Sequence, residues 1–254
     1  MSPDAFAAWL GTLLLLSVRI GVAIGLSPAW SAYGVPAAVR LVLVLALAAL
    51  AAGAAPAVSP LMALEPSARL FEALGAELCV GALLGLGLRL ALGAFALAGR
   101  LLDVQAGFAI GSLFDPVAQA GANVFGALLG LLGVVLFFVT DAHLAMARMV
   151  TISTDALPVG AWPDWGDPLR LVAGAGALFA LGLALAAPVS LALLVTDLAL
   201  GLAARNLSQL NLLVLGMPVR VAVGTLALAL SLRAGSPLVE RILALAVDLP
   251  GVRR

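Results

Sequence analysis

The sequence predicts an all-α membrane protein, and three observations carry that prediction. Hydrophobic residues make up 64% of the 254 positions and charged residues 10%, for a mean hydropathy of +1.20, which leaves too little polar surface for a water-soluble domain of this length. The apolar residues are mainly Leu, Ala, Val and Gly with 6% aromatics, a makeup that suits close-packed helices and lacks the alternation of a transmembrane β-barrel. Apolar runs that approach the ~20 residues of a membrane span occupy 5–26, 37–58, 73–98, 124–147, 170–199 and 214–232. The expected architecture is a single domain of membrane-associated helical hairpins, about six long apolar helical segments with breaks.

Taken in order, the first segment opens with Pro3 and Asp4, residues suited to a first helical turn, with Ser2 placed to cap it. An acid stands where a secretory signal would carry basic residues, and Arg19 interrupts the apolar run, so no cleavage is expected. The third segment places Glu77, Gly81 and Gly85 four residues apart, putting a carboxylate and two bare backbone patches on one helix face where a neighbour approaches closely. Gly126 and Gly130 repeat the small-residue spacing in the fourth. The 170–199 run is too long for one plain helix, and Pro188 is expected to kink or break it. Turn and polar residues fill the separators at 28–40, 60–72, 99–123, 148–170 and 201–211. With alternating spans, the bias of arginines toward the side holding Arg69, Arg148, Arg170 and the C-terminal tail places that tail in the cytoplasm.

Arg19, Glu77, Arg89 and Asp197 lie within apolar segments. Intramembrane charges either serve function and partner binding or meet an opposite charge within the fold, and the sequence leaves both readings open. Catalysis is not indicated. His143 and Asp141 are two apart, which on a helix points them in nearly opposite directions, and there is no nucleophile elbow, phosphate loop or metal-spaced Cys/His cluster. Neither an enzyme nor a cofactor site is expected. All 13 basic residues are Arg, the net charge is zero, and no basic face for nucleic acid is indicated. Cys79 is the single cysteine and has no intrachain partner.

Two stretches stand out as polar interruptions. Between 99 and 123, Gln105, Gly107, Gly111, Ser112, Asp115, Pro116, Gln119 and Gly121 alternate with Phe108, Ile110, Leu113 and Phe114. That is too apolar for a free loop and too broken for a helix. Non-helical backbone at membrane depth must be buried in protein or line a cavity, so this segment is the candidate for something that sits in, or closes, a pathway. The second is Arg205-Asn206-Leu207-Ser208-Gln209-Leu210-Asn211, followed by Gly216-Met217-Pro218-Val219-Arg220. Its polar side chains require protein or water as partners.

Several elements in order are similar to one known family. They are Arg19 with Pro28, Pro36 and Arg40; Glu77, Gly81 and Gly85; Gln105 and Gly107 with Asp115-Pro116; Ala142-His143 with Leu157-Pro158-Val159-Gly160; and Ser208-Gln209-Leu210-Asn211 with Met217-Pro218-Val219-Arg220. Together they resemble the FliR/SctT family of the type III secretion export gate, over nearly the whole chain. Ser208, Ala142 and Arg220 stand where the family usually has Pro, Gly and Lys. The resemblance implies a subunit that assembles with FliP/SctR-like and FliQ/SctS-like proteins, and with FlhB/SctU-like and FlhA/SctV-like components, into a channel for unfolded export substrates. It implies location in membrane lipid of the bacterial inner membrane, within the basal body of a flagellum or injectisome, with the flagellar branch the better match. It further implies a FliP-like part over 1–169 and a FliQ-like hairpin over 170–254. The segment 106–122 matches a pore plug formed by Gly107, Phe108, Ile110, Gly111, Leu113, Phe114, Asp115 and Pro116. Arg19, Arg40, Glu77, Arg205, Gln209, Asn211, Pro218 and Arg220 become assembly or gating residues, with charges such as Arg19 and Glu77 facing partner subunits and water. A six-helix secondary transporter or permease is the alternative; it would account for Pro188 and the internal charges, but the chain shows no internal repeat or concentrated polar site.

Overall fold

The computed structural model describes residues 3–31, 34–54, 68–108, 123–163, 168–206 and 212–248. Among them are nine helices: α1 (Pro3–Leu26), α2 (Pro28–Ser31), α3 (Ala37–Ala54), α4 (Ala68–Ala106), α5 (Val124–Val139), α6 (Ala142–Ala156), α7 (Pro168–Asn206), α8 (Leu212–Ala234) and α9 (Ser236–Asp248). The all-α class holds. The six apolar runs correspond to α1, α3, α4, α5 with the start of α6, α7, and α8. Four helices are long and apolar enough to cross a membrane, or five if the bent pair α5–α6 is one span, and the described part of α3 is shorter.

The boundaries correct the sequence reading in physically consistent ways. Helices α4 and α7 each run 39 residues, about 58 Å at ~1.5 Å per residue, because hydropathy marks the apolar stretch while the hydrogen-bonded backbone continues beyond it. Residues 99–106, expected to be non-helical, are therefore helical, since Arg100, Leu101, Leu102, Gln105 and Ala106 are good helix formers. Pro188 does not break α7. It removes one donor, and the rest of the backbone ladder holds. Conversely, the 124–147 run is broken at Thr140–Asp141, with a 65° bend. Asp141 sits at φ 56, a left-handed conformation that Asp tolerates better than most residues. The sequence also missed α9, an amphipathic helix that buries Val239, Ile242, Leu243 and Ala246. The Ser2 cap lies outside the described residues.

The chain divides into two compact units that interleave along the sequence: Met1–Ala91 with Phe137–Ala175 and Leu243–Arg254, and Leu92–Leu136 with Gly176–Ile242. In the first, Leu16, Ile20 and Ile24 of α1 pack with Val44, Ala48 and Ala51 of α3 and Val150 of α6, flanked by Trp9 and Trp30. A second cluster joins Ala23, Val80, Leu84 and Met149. The α1–α4 crossing is held at backbone contact: a Cβ on Gly81 would run into the carbonyl oxygen of Arg19, and one on Gly85 would lie 2.9 Å from that of Ala23. In the second unit Gly99 of α4 lies against Gly126 of α5, where a Cβ would sit 2.5 Å from the Gly126 Cα, and Gly182 of α7 meets the Ala94 carbonyl.

Gly81→Ala is expected to destabilise the fold by about 1–3 kcal/mol, because neither helix backbone can yield. Gly93, where a Cβ would meet nothing within 4 Å, is the matched control; its Ala variant is expected to be neutral or stabilising by up to about 1 kcal/mol. Thermal melts of the detergent-solubilised chain separate the two.

Candidate functional site

The first polar centre lies wholly inside unit one. Arg19 and Glu77 are both completely buried and form a two-pronged pair, Arg19 Nε donating to Glu77 Oε2 at 2.6 Å and Nη2 to Oε1 at 2.9 Å. Nη2 also donates to the Leu157 carbonyl at 3.2 Å, and Nη1 to the Ser153 carbonyl and hydroxyl at 3.2 and 3.1 Å. All five guanidinium N–H groups thus meet acceptors. Glu77 Oε1 additionally accepts the Gly160 backbone N–H at 2.8 Å. Gly160 reaches it with φ 80, a conformation that favours glycine. For these two residues the structure gives an opposite charge within the fold, not exposure to water.

The second centre surrounds the stems of the 109–122 segment, in unit two. The C-terminus of α4 closes with Gly107 at φ 93, Gly107 N–H donating to the Val104 carbonyl and Phe108 N–H to that of Asp103, the paired arrangement of a glycine-terminated helix. The Asp103 carboxylate turns across to the start of α5: Oδ1 accepts from Phe125 N–H and Oδ2 from Gly126 N–H, both at 2.8 Å. It is almost fully buried and supplies negative charge at a helix N-terminus. The Phe108 and Phe125 rings lie 6.3 Å apart. Sequence reasoning missed Asp103, although an acid immediately ahead of a polar interruption was the available signal.

A third, more exposed pair joins Arg220 Nε of α8 to Asp197 Oδ1 of α7 at 2.5 Å. Arg205 is exposed in the last turn of α7 and Pro218 is exposed inside α8. Arg40 is half-buried, and its Nε has no hydrogen-bond partner among the described residues. Arg89 is exposed. His143 faces the rings of Phe137 and Phe138 rather than Asp141. Ile110, Gly111, Leu113, Phe114, Asp115, Pro116, Gln209 and Asn211 lie outside the described residues. Among the described residues no group of three or more His, Cys, Asp or Glu side chains is placed to hold a metal ion.

Removing one member of the buried pair strands the other charge, so Arg19→Leu or Glu77→Leu alone is expected to cost about 3–5 kcal/mol. The double substitution is expected to cost clearly less than the sum of the two. A double-mutant cycle of melting midpoints in detergent measures the difference.

Residues 10–246 match the family model of bacterial export proteins, family 1. The chain is 35% identical over 174 residues to the flagellar biosynthetic protein FliR of Pectobacterium carotovorum, covering 68% of this chain and 67% of that one. It is 26% identical over 247 residues to FliR of Escherichia coli K12, covering 95% and 92%. It is 28% identical over 137 residues to the secretion system apparatus protein SsaT of Salmonella typhimurium, covering 53% of each. With a model match over nearly its whole length, and with relatives on both the flagellar and the secretion-apparatus branch, the chain belongs to the bacterial export proteins, family 1, the FliR/SctT family.

Proposed function

We propose that this chain is a subunit of a type III secretion export apparatus in the bacterial inner membrane. There it completes, with FliP/SctR-like and FliQ/SctS-like proteins, the channel through which unfolded substrates leave. The family match over residues 10–246 carries this reading. The higher identity to a flagellar relative, 35% against 28% for SsaT, favours the flagellar branch, and FlhB/SctU-like and FlhA/SctV-like components are the further partners. In this reading residues 1–169 form the FliP-like part and 170–254 the FliQ-like hairpin. The segment 106–122 is the pore plug, and the 205–211 junction packs near the cytoplasmic mouth with Gln209 and Asn211 bonded to neighbouring subunits.

The geometry is compatible with such an assembly. The charges Arg19 and Glu77 are neutralised inside the chain, while large apolar side chains such as Leu50, Phe71, Leu191 and Leu202 remain exposed for lipid or neighbouring subunits. Two helices are nearly twice as long as the ~30 Å hydrocarbon core, so parts of them must be received by something other than lipid.

Co-expression with the FliP-like and FliQ-like proteins of the same source, followed by native mass spectrometry, is expected to yield one stable complex holding all three. A chain that purifies alone as a well-behaved monomer would point instead to a transporter. Deleting 110–116 is expected to raise ion leakage through the intact complex, and unchanged leakage would remove the plug assignment.

A further inference from the structure

We infer that residues 73–88, in the first half of α4, are the part of that helix that sits in hydrocarbon, and that Trp162 anchors it at the lipid–water boundary. This rests on α4 crossing a membrane and not on the export role. Two independent features carry it. The first is the order of exposed residues along α4. Arg69 and Glu72 are exposed near its start, and the next exposed charge is Arg89. Over 73–88 the exposed residues are Leu78 and Leu86, and the one charge, Glu77, is buried and paired with Arg19. The rise from Glu72 to Arg89 is about 26 Å at ~1.5 Å per residue, close to the ~30 Å of a hydrocarbon core, and the long stem of Arg89 lets its head reach water. The remainder of α4, with Arg100 exposed as well, lies beyond that boundary.

The second feature is Trp162, which is 56% exposed and yet held at a fixed height on α4. It follows a turn closed by the Ala161 N–H donating to the Pro158 carbonyl. That turn is tied to both members of the buried pair, the Leu157 carbonyl accepting from Arg19 Nη2 at 3.2 Å and the Gly160 N–H donating to Glu77 Oε1 at 2.8 Å. The edge of the indole lies against Gly75, where a Cβ would stand 3.5 Å from the ring. Phe71 and Leu78, one turn to either side of Gly75 on the same face, are exposed too. The ring therefore sits about one turn inside Glu72, where charge gives way to apolar surface. An indole joins a large apolar ring to one N–H donor. Water leaves the ring badly solvated and hydrocarbon leaves the N–H unmet, whereas the boundary serves both, which is where Trp gathers in membrane proteins.

The test reads tryptophan fluorescence from the assembled complex in lipid vesicles, unaltered and as Trp162→Phe, so that the difference is the Trp162 signal. The quenchers are lipids brominated close to the headgroup, lipids brominated close to the end of the acyl chain, and iodide in the water. The Trp162 signal is expected to be lost most to bromine near the headgroup, less to bromine at the chain end, and least to iodide. Greatest loss to iodide would put the ring in water, and greatest loss to the deep bromine would put it at the midplane. No loss to any of the three would put it under a neighbouring protein subunit. Each of these overturns the anchor. Phe71→Trp, which leaves Trp162 in place and adds a reporter one turn further out, serves if Trp162→Phe does not assemble. Its added signal is expected to be lost to the shallow bromine and to iodide, and loss to the deep bromine overturns the placement of 73–88. If the complex as a whole loses no fluorescence to either bromine, the membrane reading fails and the anchor with it, with the export role untouched.

Discussion

The buried pair between Arg19 and Glu77 constrains the rest of unit one. Two full charges with no exposure in a bundle of Leu, Ala and Val are tolerated only if every donor and acceptor is matched, since desolvation otherwise exceeds the Coulombic gain. The match fixes much of the surrounding chain. Arg19 must lie close along α4, so α4 presents Gly81 and Gly85 to the α1 backbone one and two turns beyond Glu77. The remaining guanidinium protons draw in Ser153 and Leu157 at the C-terminal end of α6, and the free valence of Glu77 draws in the turn at Gly160. An apolar pair of similar volume would tolerate α1 sliding by one turn along α4, whereas the charged pair would be stranded in apolar surroundings by the same slip. Its value in this fold is therefore register as much as stability, the role best attested for buried polar groups.

Much of this was visible in the sequence as pattern and little of it as partnership. The Glu77, Gly81, Gly85 spacing pointed to close helix approach, and the bare faces do meet a backbone. What spacing does not reveal is which backbone, because Arg19 lies 58 residues away and Ser153 lies 134 residues from Arg19. Leu157-Pro158-Val159-Gly160 entered only as part of a resemblance; its physical content is a left-handed glycine that hands an N–H to a buried carboxylate. Helix ends were misjudged wherever hydropathy and hydrogen bonding part company, as at 99–106 and through Pro188. The break at Asp141 was hidden inside an apolar run because a single left-handed residue has no periodicity. Asp103 offered an acid ahead of a polar interruption, but its partners could not be read, because its bonds run to backbone N–H groups, which carry no side-chain signature.

The two units treat polarity in opposite ways. Unit one closes its two fully buried charges, Arg19 and Glu77, into one network, and α1 and α3 show apolar surfaces through Phe6, Leu14, Leu41, Val42 and Leu50. Unit two spreads its polar contacts along the helices, with Asp103 at the α4–α5 junction and the half-exposed Asp197–Arg220 pair between α7 and α8. A pair exposed to that degree is worth little by itself in stability, because water competes for both partners. Its position matters more. It joins α7 and α8, the two helices on either side of the polar 207–211 junction.

Under the proposed function the chain lines a conduit for unfolded chains, and such a conduit faces two demands that conflict in one polypeptide. Its wall must keep every backbone group satisfied without relying on water, and some part of it must change shape when substrate passes. Continuous helices as long as α4 and α7 largely meet the first demand, since their hydrogen bonds are internal along most of the length, with one donor missing at Pro188. The second falls to places where the helical ladder has already stopped. At Gly107 the ladder ends through a glycine-terminated turn, and at Phe125 and Gly126 the first donors of α5, which have no partner in their own helix, are met by a side chain instead of a carbonyl. Bonds of that kind are made and broken without unwinding either helix.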